Sequence, residues 1–156
     1  MKKLPLLPTI IGTGFGSGFW PWGPGTAGAL TGMLIWYALS FMLNSTLLFA
    51  VTLSCIVVFT IAGTWAVRRL SPFWGSDPQK VVIDEMVGVW IPLLAVPASD
   101  IWLALASFVL FRLFDILKPL GIRTLDRRKG AFYVMADDIL AGVYSLIIIV
   151  AVQWII

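Results

Sequence analysis

The chain has 156 residues, 60% of them hydrophobic and 12% charged, with a mean hydropathy of +0.96 and a formal net charge of +3. So few polar side chains cannot cover a water-soluble domain, which excludes an ordinary soluble enzyme and indicates a polytopic membrane protein. With no histidine and only Cys55 as a thiol, an intrachain disulfide, a cysteine metal cluster, His-ligated zinc, phosphohistidine chemistry and Ser-His-Asp hydrolysis are excluded as well.

Met1 to Pro8 starts basic, but its prolines interrupt any signal-peptide apolar core, so no cleavage is expected. Residues 12–28 hold seven glycines together with Pro21 and Pro24. They predict an irregular segment that dips into the membrane interface on Phe15, Phe19, Trp20 and Trp22. A first span is expected over 27–43, with Thr26 as its N-cap. Free N–H groups at such a helix start can hold phosphate, which makes Gly25 and Thr26 candidate substrate contacts. The plainer alternative is a glycine-rich turn for close helix packing, since the stretch matches neither the P-loop nor the dinucleotide fingerprint.

Asn44-Ser-Thr46 reads as a polar turn, followed by a second span over 47–67 that ends in Arg68-Arg69. A loop from Leu70 to Lys80 is broken by Pro72, Gly75, Asp77 and Pro78. The third span is expected over 81–96, the fourth over 101–117 after the turn Pro97 to Asp100, and the fifth over 139–156 after a basic loop from Lys118 to Ala136. The expected fold is an all-α membrane protein. It is one integral membrane domain over 1–156, a small bundle of about five transmembrane helices with a Gly-rich interfacial or re-entrant N-terminal segment.

Basic residues set the orientation. Lys2, Lys3, Arg68, Arg69, Lys80, Lys118, Arg123, Arg127, Arg128 and Lys129 all fall on the side of the N-terminus, and the turns 44–46 and 97–100 carry none. The N-terminus is therefore expected in the cytoplasm and the C-terminus outside.

The acids follow the same asymmetry, with Asp100 alone on the outer side. Asp84 and Glu85 interrupt a run that needs both to reach spanning length, since Met86 to Ala98 falls short of the roughly 20 residues a crossing requires. A carboxylate in a span costs about 2.5–3.5 kcal/mol, so such acids need cations or metal. At about 1.5 Å per residue, Asp84, Asp115 and Asp138 reach similar depth on three helices. Such a layer suits a hard cation with oxygen ligands; unrelated interfacial charges are the alternative. Arg112, Asp115 and Lys118 follow one another at three-residue steps on the fourth span, an arrangement that could serve structure alone or a site.

Carboxylates with Arg and Lys around them at headgroup depth suit metal-assisted attack on a lipid phosphate, with an Asp or a metal-bound water as nucleophile. An ion or proton-coupled transporter is the competing class, disfavoured because its site would sit near the midplane and open to both sides.

Four motifs occur in order: Thr13-Gly-Phe-Gly-Ser-Gly18 with Pro24-Gly-Thr26, Ile83-Asp-Glu-Met-Val-Gly-Val-Trp90, Phe111-Arg-Leu-Phe-Asp-Ile-Leu-Lys-Pro119, and Met135-Ala-Asp-Asp-Ile-Leu-Ala-Gly142. Together they resemble the phosphatidylglycerophosphatase A family. The resemblance implies a bacterial inner-membrane, Mg²⁺-dependent phosphatase that converts phosphatidylglycerophosphate to phosphatidylglycerol at the cytoplasmic face. By position, the motif acids of that family fall on Asp84, Glu85, Asp115, Asp137 and Asp138 and its basic positions on Arg112, Lys118 and Arg123, with Asp126 and Arg127 matching a further Asp-Arg step; the match does not divide the roles. The expected division is metal binding by Asp84, Glu85, Asp137 and Asp138, catalysis among Asp84, Asp115 and Asp138, and substrate binding by Arg112, Lys118, Arg123 and Arg127 beside Gly25 and Thr26. The expected partners are an anionic phospholipid and the membrane; no nucleic acid is expected, and the oligomeric state stays open. Gly130-Ala-Phe-Tyr133 departs from the glycine-rich stretch common in similar sequences, which leaves a phosphatidylinositol phosphate as an alternative substrate.

Overall fold

The computed structural model describes residues 3–76 and 78–155, so the expectations placed on Met1, Lys2, Asp77 and Ile156 lie outside the described residues. Within them the chain is all-helical: α1 (Leu6–Gly12), a 3-10 turn at Ser17–Phe19, α2 (Pro24–Ser40), α3 (Ser45–Trp74), α4 (Ile83–Leu93), α5 (Ile101–Leu117), α6 (Ile122–Asp126) and α7 (Ala131–Ile155). Two of these, α3 and α7, are long and apolar enough to cross a membrane. At 30 and 25 residues they exceed the roughly 20 needed, whereas α2 and α5, with 17 each, stand at the lower limit.

The organising element is α4, a helix of 11 residues with ten of them buried. Its apolar side chains point all round because α2, α3, α5 and α7 surround it. It is shorter than the expected span of 81–96, about 16 Å at 1.5 Å per residue. The Val82 N–H bonds to the Gly12 carbonyl at 2.8 Å, which fixes where the helix can start. Beyond Leu93 the chain tightens into i→i+3 bonds from Leu94 to Val96.

Small residues let the neighbours close on this helix. A side chain on Gly88 would run into the Phe111 ring and come within 3.0 Å of the Asp138 carbonyl, and one on Gly142 would meet Ile91 at 3.0 Å. Trp90 then donates its indole N–H to the Gly32 carbonyl at 2.9 Å, a buried bond that ties α4 to α2.

Other boundaries depart from expectation. A short α1 forms where only a proline-broken segment was expected, and Thr9 and Thr13 bond back to the Pro5 and Thr9 carbonyls at 2.7 Å. Helix α3 runs through Pro72 to Trp74; the Arg68 carbonyl that Pro72 cannot reach is taken by the Ser71 hydroxyl at 3.2 Å. Helix α7 begins at Ala131 rather than 139, directly after Gly130 at φ 135°. Thr26 is no N-cap: Gly23, at φ 69°, takes that place and Pro24 is the first helical residue, a position its fixed φ suits. At the two expected turns the structure adds helix caps, with Asn44 accepting from Leu47 at 2.9 Å and Asp100 from Trp102 and Leu103 at 3.1 Å.

The helices run between two ends. At one end the Ser99 N–H meets the Ser40 hydroxyl at 3.2 Å, and the Gln153 amide reaches the Ala95 carbonyl at 2.7 Å. The starts of α2, α4 and α7 and the end of α5 gather at the other end, where the basic residues lie.

Candidate active site

A cavity of about 470 Å³ opens at the basic end. Three helices deliver its acids. Asp84 and Glu85 occupy the first turn of α4, where the helix dipole favours negative charge. Asp115 comes from the last turn of α5, and Asp137 and Asp138 from the second turn of α7. Although Asp84 sits in a first turn, it is buried rather than solvated.

Asp84, Glu85 and Asp138 each offer a carboxylate oxygen within 4.8 Å of the others. Asp84 Oδ1 and Glu85 Oε2 are buried with no hydrogen-bond partner in the described residues. Three carboxylates this close repel one another, and an orphaned buried oxygen costs about 1–3 kcal/mol or more when charged. A divalent cation with oxygen ligands fits this trio. Asp137 is turned elsewhere: its Oδ2 accepts from the Lys118 ammonium at 2.8 Å.

The cations divide by partner. Arg112 is paired through Nη1 with Asp115 Oδ2, one turn away on α5, while its buried Nε has no partner. Lys118 bridges Asp137 on α7 and Asp126 on α6. Pro119 explains where the helix ends, since the residue before proline is disfavoured in the α region. Helix α5 therefore stops at Leu117, and Lys118 adopts the left-handed conformation at φ 47°. Burial works against the Lys118 charge, but the hydrogen bonds it donates to Asp126 and Asp137 outweigh it and hold the ammonium above the ordinary lysine range. The stability this confers is complete below the ordinary lysine pKa and is lost only as pH rises through the raised value, so Lys118 stays charged at neutral pH.

Gly25 approaches both charge types: a side chain there would land on Glu85 Oε1 and lie 3.3 Å from Arg112 Nη1. The open start of α2 thus lies against Glu85 of the acid trio and beside Arg112. Arg127 lines the cavity, and so does Tyr133, from the stretch that departs from the glycine-rich pattern, together with Arg128 and Lys129, which the sequence showed only as members of the basic loop. Arg128 lies over the Tyr133 ring, 5.5 Å from its centre, and donates to the phenol at 3.4 Å. Asp126, the third partner in the Lys118 bridge, was visible in the sequence as part of an Asp-Arg step with Arg127, without a role. Arg123 lies outside the cavity lining, exposed on α6, donating to the Leu117 carbonyl at 3.4 Å. Thr26 faces a different groove, on the far side of the α2 start.

The sequence profile described as Phosphatidylglycerophosphatase A matches residues 10–153. The chain belongs to the phosphatidylglycerophosphatase A family. It is 37% identical to the phosphatidylglycerophosphatase A of Haemophilus influenzae, over 99% of this chain and 94% of that one, and 36% identical to that of Escherichia coli, over 87% and 77%. A Bacteroides thetaiotaomicron protein provisionally named a phosphatidylinositol-3-phosphatase is 56% identical, over 100% of this chain and 99% of its own. No solved structure matches the chain significantly. Family membership makes this an enzyme, a phosphoric monoester hydrolase acting on a phospholipid.

Proposed function

We propose that the chain removes the terminal phosphate from phosphatidylglycerophosphate, yielding phosphatidylglycerol, at the cytoplasmic face of a bacterial inner membrane. The observation that carries this reading is the facing of the Asp84, Glu85 and Asp138 trio against Arg112 at the open start of α2. Six carboxylates and five cations line the cavity, so a divalent cation would turn its formal balance positive, which suits a phosphomonoester dianion. Asp84, Glu85 and Asp138 would hold Mg²⁺, which when bound polarises a phosphoryl oxygen.

The remaining residues take the substrate. Arg112 and Arg127 neutralise phosphate oxygens, and the free N–H groups at Gly25 and Thr26 add their dipoles, so that Thr26 serves through its backbone. Lys118, already shared by two acids, sets the position of Asp137 and adds positive potential. Asp115 holds Arg112 in place. The proton of the attacking water goes to one of Asp84, Asp115 and Asp138, or one of these attacks phosphorus directly.

The chain crosses the membrane five times in this reading, through α2, α3, α4 with its flanking turns, α5 and α7, with the N-terminus cytoplasmic. Helix α4 is short because its inner end stops at the floor of the open cavity. The single distribution of basic residues at the cavity end supports that orientation.

A phosphatidylinositol phosphate is the second reading. It is favoured by the 56% identical relative and by the Arg128 and Tyr133 pair in the cavity wall, which gives a polyol ring an aromatic face and a cation. Phosphate release from the two lipids, measured side by side on purified protein with Mg²⁺ and with chelator, decides between them. Release from one lipid that disappears with chelator and in Asp138→Asn, while Asp138→Asn stays folded, is the expected result. Full activity in Asp138→Asn, or release indifferent to chelator, would overturn the site or the metal respectively.

A further inference from the structure

A second concavity, of about 600 Å³, runs along α2 from its start to Leu34. One wall is the aromatic stretch Phe19, Trp20 and Trp22; the other is the α2 stripe that includes Ala27, Leu30 and Leu34. No charged residue lines it, in contrast to the charged cavity beside it. The two meet at Gly23, which lines both.

We propose that this groove seats an acyl chain of the phospholipid whose phosphate enters the charged cavity, an inference that rests on the phosphatase reading above. A ligand lying across Gly23 must be anionic at one end and apolar along the rest, which describes a phospholipid and not a protein helix. The groove leaves the charged end along α2, and Gly23 to Leu34 spans about 17 Å at 1.5 Å per residue. That is close to one leaflet's share, about 15 Å, of the hydrocarbon core. Trp22, 80% exposed, and Trp20, 57% exposed, stand at the groove mouth, where amphipathic rings favour the headgroup level.

The aromatic wall is held in place from behind. Lys80 lays its ammonium over Phe19 and Trp74, 5.9 and 5.7 Å from the ring centres. Gly18 packs so tightly on the Lys80 carbonyl group that no side chain fits there. Trp20 and Trp22 meet edge to face at 6.4 Å. The groove therefore exists before lipid arrives, and binding need not order it.

The test compares dioleoyl with dibutanoyl forms of phosphatidylglycerophosphate and of phosphatidylinositol 3-phosphate. Leu30→Trp, which fills the groove, should lower the ratio of kcat/KM for the long chain over the short by about tenfold, as for displacing about two methylene groups. Val109→Trp, on the exposed face of α5, should leave that ratio at the wild-type value. In parallel, a phospholipid with a diazirine in its acyl chain should label wild-type peptides from residues 19–34, and less so in Leu30→Trp. An unchanged ratio in Leu30→Trp, an equal fall in Val109→Trp, or labelling spread evenly over α3 and α5 would overturn the proposal in favour of ordinary surrounding lipid. Wild-type protein that releases no phosphate from any of these lipids counts against the phosphatase reading, and the labelling pattern then decides the groove by itself.

Discussion

Lys118 shows how one residue can carry several constraints at once. It ends α5 in a left-handed conformation that costs a non-glycine residue about 1–2 kcal/mol, and it ties α5 to α6 and α7 through Asp126 and Asp137. Asp137 is buried, so Lys118→Met leaves a charged acceptor without its donor. The expected cost is about 1–3 kcal/mol of stability, seen as a lower Tm in detergent; the double variant Lys118→Met with Asp137→Asn should recover most of it without recovering activity. An unchanged Tm in Lys118→Met would show that the pair contributes nothing. The acids themselves were legible in sequence, because a carboxylate inside an apolar run is too costly to be incidental. Their division was not: Asp137 and Asp138 are adjacent, yet a helix sends them 100° apart, one to Lys118 and the other to the trio.

At the scale of elements, the glycines of α4 and α7 decide how closely the acid-bearing helices approach. Gly88 sits where α5 and α7 both press on α4. Gly88→Ala would push the Phe111 ring and the Asp138 backbone outward, costing about 1–3 kcal/mol and displacing an acid of the trio. Both Tm and phosphate release should fall, whereas Gly63→Ala, which meets the pliable thioether end of Met135 at 2.9 Å together with an Ile83 methyl, should cost less. Equal Tm values for wild type and Gly88→Ala would refute the close-approach account. Helix ends were the least legible feature. The start of α7 looked like loop because the Asp137-Asp138 pair marks the apparent edge of the apolar run, and those acids are buried only by helices remote in sequence. The Gly23-Pro24 start of α2 obeys a known preference for proline at the first helical position, but the neighbouring Thr26 offered a competing cap.

At the scale of the whole molecule, alternate connections lie at opposite ends, and the charged cavity occupies one of them. With the cavity end cytoplasmic, a thiol placed at Thr124 should be shielded from a membrane-impermeant reagent in intact cells, and one at Thr46 should react, in a Cys55→Ser background. Labelling at Thr124 before lysis would reverse the proposed topology. Both positions are exposed, so reactivity reports sidedness rather than burial.

Composition and pattern were enough for the membrane class, the all-helical fold and the acids that gather at one end, because each follows from the cost of placing a given residue in lipid; the family was legible only through four motifs in order. What only the tertiary structure decided is how these groups are shared out. Asp84, Glu85 and Asp138 form a trio and Asp137 does not, Arg123 stays outside, and Tyr133 and Arg128 form a wall. Those outcomes depend on helix crossings set by Gly88 and Gly142 and on a ring of neighbours round α4, contacts between residues far apart in the chain whose geometry no local spacing encodes.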